Sequence, residues 1–169
     1  NEYKSNNLIN LLEELKIIRN KPFNEEELIS LFNKYGIYLV IEDALNGSKI
    51  RGCSMVKGSN PAIYITRYFK EKASFYFTLY HEIGHIKKDY NRLKSKIIID
   101  DNDEKEIDNY ALNQMIPSDI WKDIINNSKN REEICKRNNI PLCFLYSRLA
   151  YEKLISYKSI DYNTHKEMI

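Results

Sequence analysis

His81 and His85, two of the three histidines in a chain of 169 residues, stand four positions apart between Tyr68 and Lys88, where there is no proline and one glycine. Apolar residues occupy most faces of that stretch, which reads as one central, buried helix. A helical turn takes about 3.6 residues, so side chains four apart leave the same face. Burying two imidazoles and Glu82 without partners is costly, and a single metal ion satisfies both rings at once. H-E-x-x-H alone occurs by chance in many helices. Here the flanks Thr78, Leu79, Ile83, Gly84 and Ile86 are uncharged, and Lys87 can reach solvent at the helix end. Zinc is the expected ion, and Glu82 would lie beside its open coordination position, placed to take a proton from a water there. Gly84 reads either as room for a neighbouring element or substrate, or as a packing concession.

Catalytic zinc normally takes three protein ligands, so a third donor is needed. His165, the remaining histidine, lies in a polar tail and reads as a solvated surface residue. The acidic run from Asp100 to Glu106, with Asp108, offers carboxylates instead, although any one of them could be an ordinary charge near a helix N-terminus. Glu104, Asp108, Ala111 and Met115 fall on one helical stripe with the residues that must face the core, which favours Glu104. Glu106 pairs with Tyr110 on the adjacent stripe and stays open as the alternative. With Glu104 as ligand, Asp108 one turn later can accept the second N–H of a ligating histidine.

The remaining chain supplies a small α+β frame. Leu8, Leu11, Leu12, Leu15 and Ile18 recur at helical spacing, with an end near Asn20 to Pro22. Asn24 with Glu27 forms a capping box for a helix to Tyr35, stopped by Gly36. Residues 37–42, 50–56 and 62–66 read as strands, with turns at Asn46-Gly47 and from Gly58 to Pro61, and a mostly antiparallel sheet is expected. After the central helix come helices from about Asp103 to Ile116, from Ser118 through Trp121, from Asn130, capped with Glu133, through Arg137, and from Pro141 to about Tyr157. The whole, 1–169, reads as one domain with its core at about 24–117 and a helical C-terminal part at 118–169.

Charge excludes little, since 26 basic residues face 24 acidic ones and no bulk field calls for nucleic acid or a membrane. Three widely spaced cysteines without a C-x-x-C pair argue against a disulfide framework and a thiolate metal site. No apolar run approaches the roughly twenty residues of a membrane span, and no signal-peptide plan opens the chain. A cytoplasmic location without membrane attachment is the expectation.

Three blocks carry a family resemblance. Phe77 to His85, F-T-L-Y-H-E-I-G-H, is similar to F-T-L-A-H-E-L-G-H of the ImmA/IrrE-type zinc metallopeptidases, with Tyr80 at a small-residue position. Glu104 to Pro117 resembles their E-x-E-A-N-x-F-A-x-x-L-L-M-P, with Ile107, Asp108 and Tyr110 replacing Ala, Asn and Phe. Pro61 to Ile65 falls where the family has a strand ahead of its active-site helix. The resemblance spans roughly 24–117 and implies a zincin-like, gluzincin-type α+β fold, with His81, His85 and Glu104 as zinc ligands and Glu82 as general base. It also implies an endopeptidase that cleaves a helix-turn-helix repressor and so relieves repression of a phage or mobile element. An extended substrate would add as a strand near Ile63, Tyr64 and Ile65; a plain core strand is the other reading of those residues.

The last two helices, with their short connection at Asn138 to Pro141, could form a DNA-binding helix-turn-helix. Glu132, Glu133 and Glu152 dilute the basic residues Arg131, Lys136, Arg137, Arg148 and Lys153. Inward-facing Leu142, Leu145, Leu149 and Leu154 favour core completion and protein recognition instead. The rival to the peptidase is a non-hydrolytic regulator, or a toxin–antitoxin component, that binds a repressor or DNA.

Overall fold

A computed structural model describes residues 2–95, 97 and 104–169. Two amphipathic helices open the chain, α1 (Asn7–Ile18) and α2 (Glu25–Lys34). The Asn24 side chain accepts from the Glu27 amide at 2.9 Å, and Gly36 ends the second helix at φ +75°. A Cβ on Gly36 would stand 2.6 Å from the Tyr3 nitrogen, so backbone angle and space both call for glycine there.

Strands β1 (Tyr38–Glu42), β2 (Gly52–Lys57) and β3 (Asn60–Thr66) form one sheet in the order β1-β3-β2. The Gly58-Ser59 turn makes β2 and β3 an antiparallel hairpin, with Ser54 opposite Ile63. β1 runs parallel to β3, with Leu39 opposite Ile63. The sheet is therefore mixed, and the antiparallel expectation holds for one pair only. The Asn46-Gly47 turn lies within a longer connection, residues 43–51, which carries the chain across the sheet to its far edge before the hairpin returns β3 to the middle.

This topology corrects the expectation of a substrate edge at Ile63, Tyr64 and Ile65. β3 is hydrogen-bonded along both sides, and Ile63 and Ile65 are fully buried. These residues form a core strand, and among the described residues the unpaired edge next to the central helix belongs to β2.

Helix α3 (Lys72–Leu93) lies against β2 and β3, and Phe75, Tyr76, Leu79, Tyr80, Ile83 and Ile86 are buried along it. Its geometry breaks at Asp89 (φ −114°, ψ 18°). Helix α4 (Glu104–Met115) packs across α3, followed by α5 (Ser118–Asn126), α6 (Arg131–Arg137), α7 (Leu142–Tyr151) and α8 (Ile160–His165). Asp100 to Asp103, including the expected first residue of α4, lie outside the described residues.

Three C-terminal expectations change. Asn130 makes no side-chain cap to α6. The helix after Pro141 stops at Tyr151, because Lys153 adopts φ +60°, and a separate short helix follows. Leu154, expected to face inward, is half exposed beyond the helix end, whereas Leu145 and Leu149 are buried as expected. The final residues return to the start of α3, where Glu71 pairs with Met168. There the buried Lys72 ammonium meets the Glu167 carboxylate at 2.5 Å and the Lys21 carbonyl at 2.8 Å. No helix among the described residues is long and apolar enough to cross a membrane.

Candidate metal centre

α3 presents His81 and His85 to one side, and α4 brings carboxylates to them. Gly84 makes that approach possible: a Cβ there would stand 2.9 Å from the Tyr110 ring and 3.1 Å from the Ile107 methyl. Both neighbours belong to α4, so of the two readings of Gly84, room for a neighbouring element is the one seen. Drawn in this way, α4 sets Glu104 and Asp108 against His81.

His81 Nδ1 lies 2.9 Å from Asp108 Oδ1, and His85 Nδ1 lies 3.4 Å from Asp89 Oδ2. An ionised carboxylate only accepts, so each ring donates from Nδ1, and a neutral imidazole then carries a bare lone pair on Nε2. Burial pushes the His85 pKa down, and His81 beside it adds to that; Asp89 and Glu104 act in the opposite sense without reversing it. The two Nε2 atoms are 3.1 Å apart. Glu104 closes the group, with Oε2 at 2.9 Å from His81 Nε2 and Oε1 at 3.7 Å from His85 Nε2.

Two ring nitrogens and a carboxylate converging in this way are donors that one metal ion can hold together; without it, a proton on a ring nitrogen bridges the same short contacts. Ligands at 2.0–2.1 Å in tetrahedral array stand about 3.3 Å apart, and the three separations bracket that value. The donor set of two imidazole nitrogens and one carboxylate thus fits a metal ion. His81, His85 and Glu104 offer ligand atoms that all lie within 4.8 Å of one another. Glu106, the alternative donor, extends to Lys88 on the surface. His165 stacks on Tyr146 at 4.3 Å and donates to the Asp161 carbonyl.

Glu82 is 3% exposed. One of its carboxylate oxygens accepts from the Ser54 hydroxyl on β2, which fixes how the other is aimed. Gly52 admits the side chain, since a Cβ on Gly52 would come within 2.7 Å of Glu82 Oε1. His81, Glu82, Glu104 and Asp108 line one cleft of about 490 Å³, bordered by residues 49–52 and by Tyr151.

Comparison with models of known protein families, and with curated proteins, finds no match to this chain.

Sequence reasoning did not single out Asp89, Ser54, Gly52 or Tyr151. Asp89 had a signal, since it follows His85 by four residues, the same spacing that pairs the histidines. Nothing local marked Ser54 or Gly52, whose roles depend on how β2 docks against α3.

Proposed function

We propose that this chain is a zinc-dependent endopeptidase with a zincin-like arrangement, in which His81, His85 and Glu104 hold the metal and Glu82 is the general base. The observation that carries the reading is the pairing of both Nδ1 atoms with carboxylates, which leaves two Nε2 lone pairs and Glu104 converging on one point beside a buried glutamate. Two histidines and one carboxylate, with a side open to a cleft, are the donor pattern of hydrolytic zinc sites that keep a coordination position for water or substrate.

When bound, zinc supplies Lewis acidity, lowering the pKa of a water from about 15.7 to about 7 and polarising a carbonyl. Glu82 accepts the water's proton on the carboxylate that Ser54 orients and delivers it to the leaving amine. Asp108 and Asp89 hold the imidazoles in one tautomer and orientation. Residues 49–52 border the cleft ahead of the open edge of β2, and an extended peptide paired along that edge would lie across the site irrespective of its side chains. Tyr151, at the cleft border, is the phenol available to donate to a developing oxyanion.

The resemblance in the H-E-x-x-H and Glu104–Pro117 blocks gives the substrate class: a helix-turn-helix repressor, whose cleavage would relieve repression of a phage or mobile element. Arg148 supports protein over DNA as the partner. Its guanidinium lies 4.3 Å over Trp121, donates to the Ile116 carbonyl at 3.1 Å and pairs with Glu152, so it braces the fold instead of facing a groove. The test is elemental analysis of the purified protein, followed by a mass-spectrometric search for new termini in the repressor encoded beside its gene. One equivalent of zinc and chelator-sensitive cleavage are expected. A repressor left intact by fully zinc-loaded protein overturns the peptidase reading.

A further inference from the structure

A second cavity, of about 500 Å³, opens beside the metal cleft and shares Arg51, Phe77, Thr78 and Tyr151 with it. Its walls come from the same two helices that carry the metal group, one turn further along each. On α3, Phe77 precedes His81 by four residues and Ala73 precedes Phe77 by four; on α4, Leu112 follows Asp108 by four, with Met115 beyond it. Phe144 of α7 and Tyr162 of α8 close the far side. The Phe77 ring stands 6.2 Å from the His81 ring, so the cavity begins within one side-chain length of the ligands.

The chemistry of the walls is aromatic and apolar. Three of the charged groups at the margin are already engaged, Glu71 by the Tyr162 hydroxyl, Arg148 by Trp121 and Glu152, and Arg51 over the Phe69 ring at 4.7 Å, while Lys70 lines the rim beside them. A guest therefore meets hydrocarbon and ring faces. The volume falls in the range of about 300–1,000 Å³ typical of ligand pockets, which leaves space for a large side chain and its flanking backbone. In a peptide whose carbonyl lies at the metal group, the neighbouring Cβ is only about 2.5 Å from the carbonyl carbon. A side chain at that position is directed into a cavity starting where Phe77 stands.

Building on the peptidase reading, we propose that this cavity is its specificity pocket. It takes the bulky apolar side chain, aromatic or long aliphatic, of the substrate residue next to the bond that is cut. The C-terminal helices α7 and α8 thereby become part of substrate recognition, as the far wall of the pocket.

The test compares two small metal-binding probes, glycine hydroxamate and phenylalanine hydroxamate, on the full zinc-loaded chain by calorimetry. The benzyl group should tighten binding about ten- to a hundredfold. Ser74→Trp, at a residue lining the cavity from α3, and Leu112→Trp, from α4, fill it and should erase that difference, with zinc content and glycine hydroxamate affinity unchanged. Equal affinities in the wild type, or discrimination that survives in both variants, overturn the proposal. A protein that holds no zinc and binds neither hydroxamate refutes the metal reading instead. N-acetyl-phenylalaninamide, which has no metal-binding group, then decides the pocket by amide NMR. Shifts at Ala73 and Leu112 that vanish in the Trp variants support it, and their absence in the wild type overturns it.

Discussion

His81 donates from Nδ1 to Asp108 across the α3–α4 interface at 2.9 Å, so the ring that faces the metal group is aimed by the helix that also supplies Glu104. Ligand and orienter share one rigid element, and a shift of α4 would disturb both. Asp108→Ala should keep the fold and lower zinc affinity by about ten- to a hundredfold, as loss of an outer partner of a ligating histidine does elsewhere. Competition titration with a chromogenic chelator measures this; unchanged affinity would show that Asp108 does not orient His81.

Glu104 and Glu106 lie two residues apart, yet only Glu104 meets the histidines, while Glu106 reaches Lys88. Glu104→Ala should therefore lose stoichiometric zinc and Glu106→Ala should retain it, as read by elemental analysis after dialysis. The Glu106 pair is exposed, and its removal should alter stability by no more than about 1 kcal/mol. Zinc lost only in the Glu106 variant would reverse the assignment.

Glu82→Gln keeps the shape of the side chain and removes the proton acceptor. Metal content and melting temperature should stay close to wild type while repressor cleavage falls on the order of a hundredfold or more. Cleavage at the wild-type rate would exclude Glu82 as the base.

Gly84→Ala probes the helix contact itself. The added methyl meets Tyr110 and Ile107 inside normal contact distance, and relief requires α4 to move away from α3. A loss of about 1–3 kcal/mol is expected from such overpacking, together with weaker zinc binding, because the ligating carboxylate rides on the displaced helix. Denaturant titration and the chelator assay read the two effects, and full stability with full zinc affinity would contradict the close-approach role.

The C-terminal helices should recognise protein and not DNA. Mobility shifts on the gene's own promoter region across several salt concentrations should show no sequence-selective complex. Phosphate-dominated binding, if present, would weaken steeply as salt rises. A tight selective complex abolished by Lys136→Ala with Lys153→Ala, both exposed and outside the contacts that brace the fold, would favour the non-hydrolytic regulator.

The metal group was legible in the sequence because its geometry is local. His81, Glu82 and His85 lie within two turns of one helix, and Glu104 and Asp108 within two turns of another, so periodicity marked the faces and favoured Glu104 with Glu106 left open beside it, while the full ligand set was what the resemblance implied. What escaped were features fixed by tertiary placement. The position of β3 in the sheet depends on where residues 43–51 carry the chain, which the Asn46-Gly47 turn does not specify. Ser54 meets Glu82 only because β2 docks on α3. The end of α7 was overextended because apolar spacing continues through Leu154 and Ile155, while the left-handed backbone at Lys153, a conformation few side chains favour, breaks the helix.

The return of Glu167 and Met168 to the head of α3 has a kinetic consequence. Lys72 and Glu167 are 95 residues apart, and closing so long a loop carries an entropic cost that shorter-range pairings such as β2 with β3 or α3 with α4 do not meet. The Lys72 ammonium sits in the first turn of a helix, where a positive charge opposes the helix dipole, and its carboxylate partner arrives only with that closure. Folding should thus join the histidines to Glu104 first and seal the aromatic cavity last, making the head of α3 the place where the native chain opens most readily.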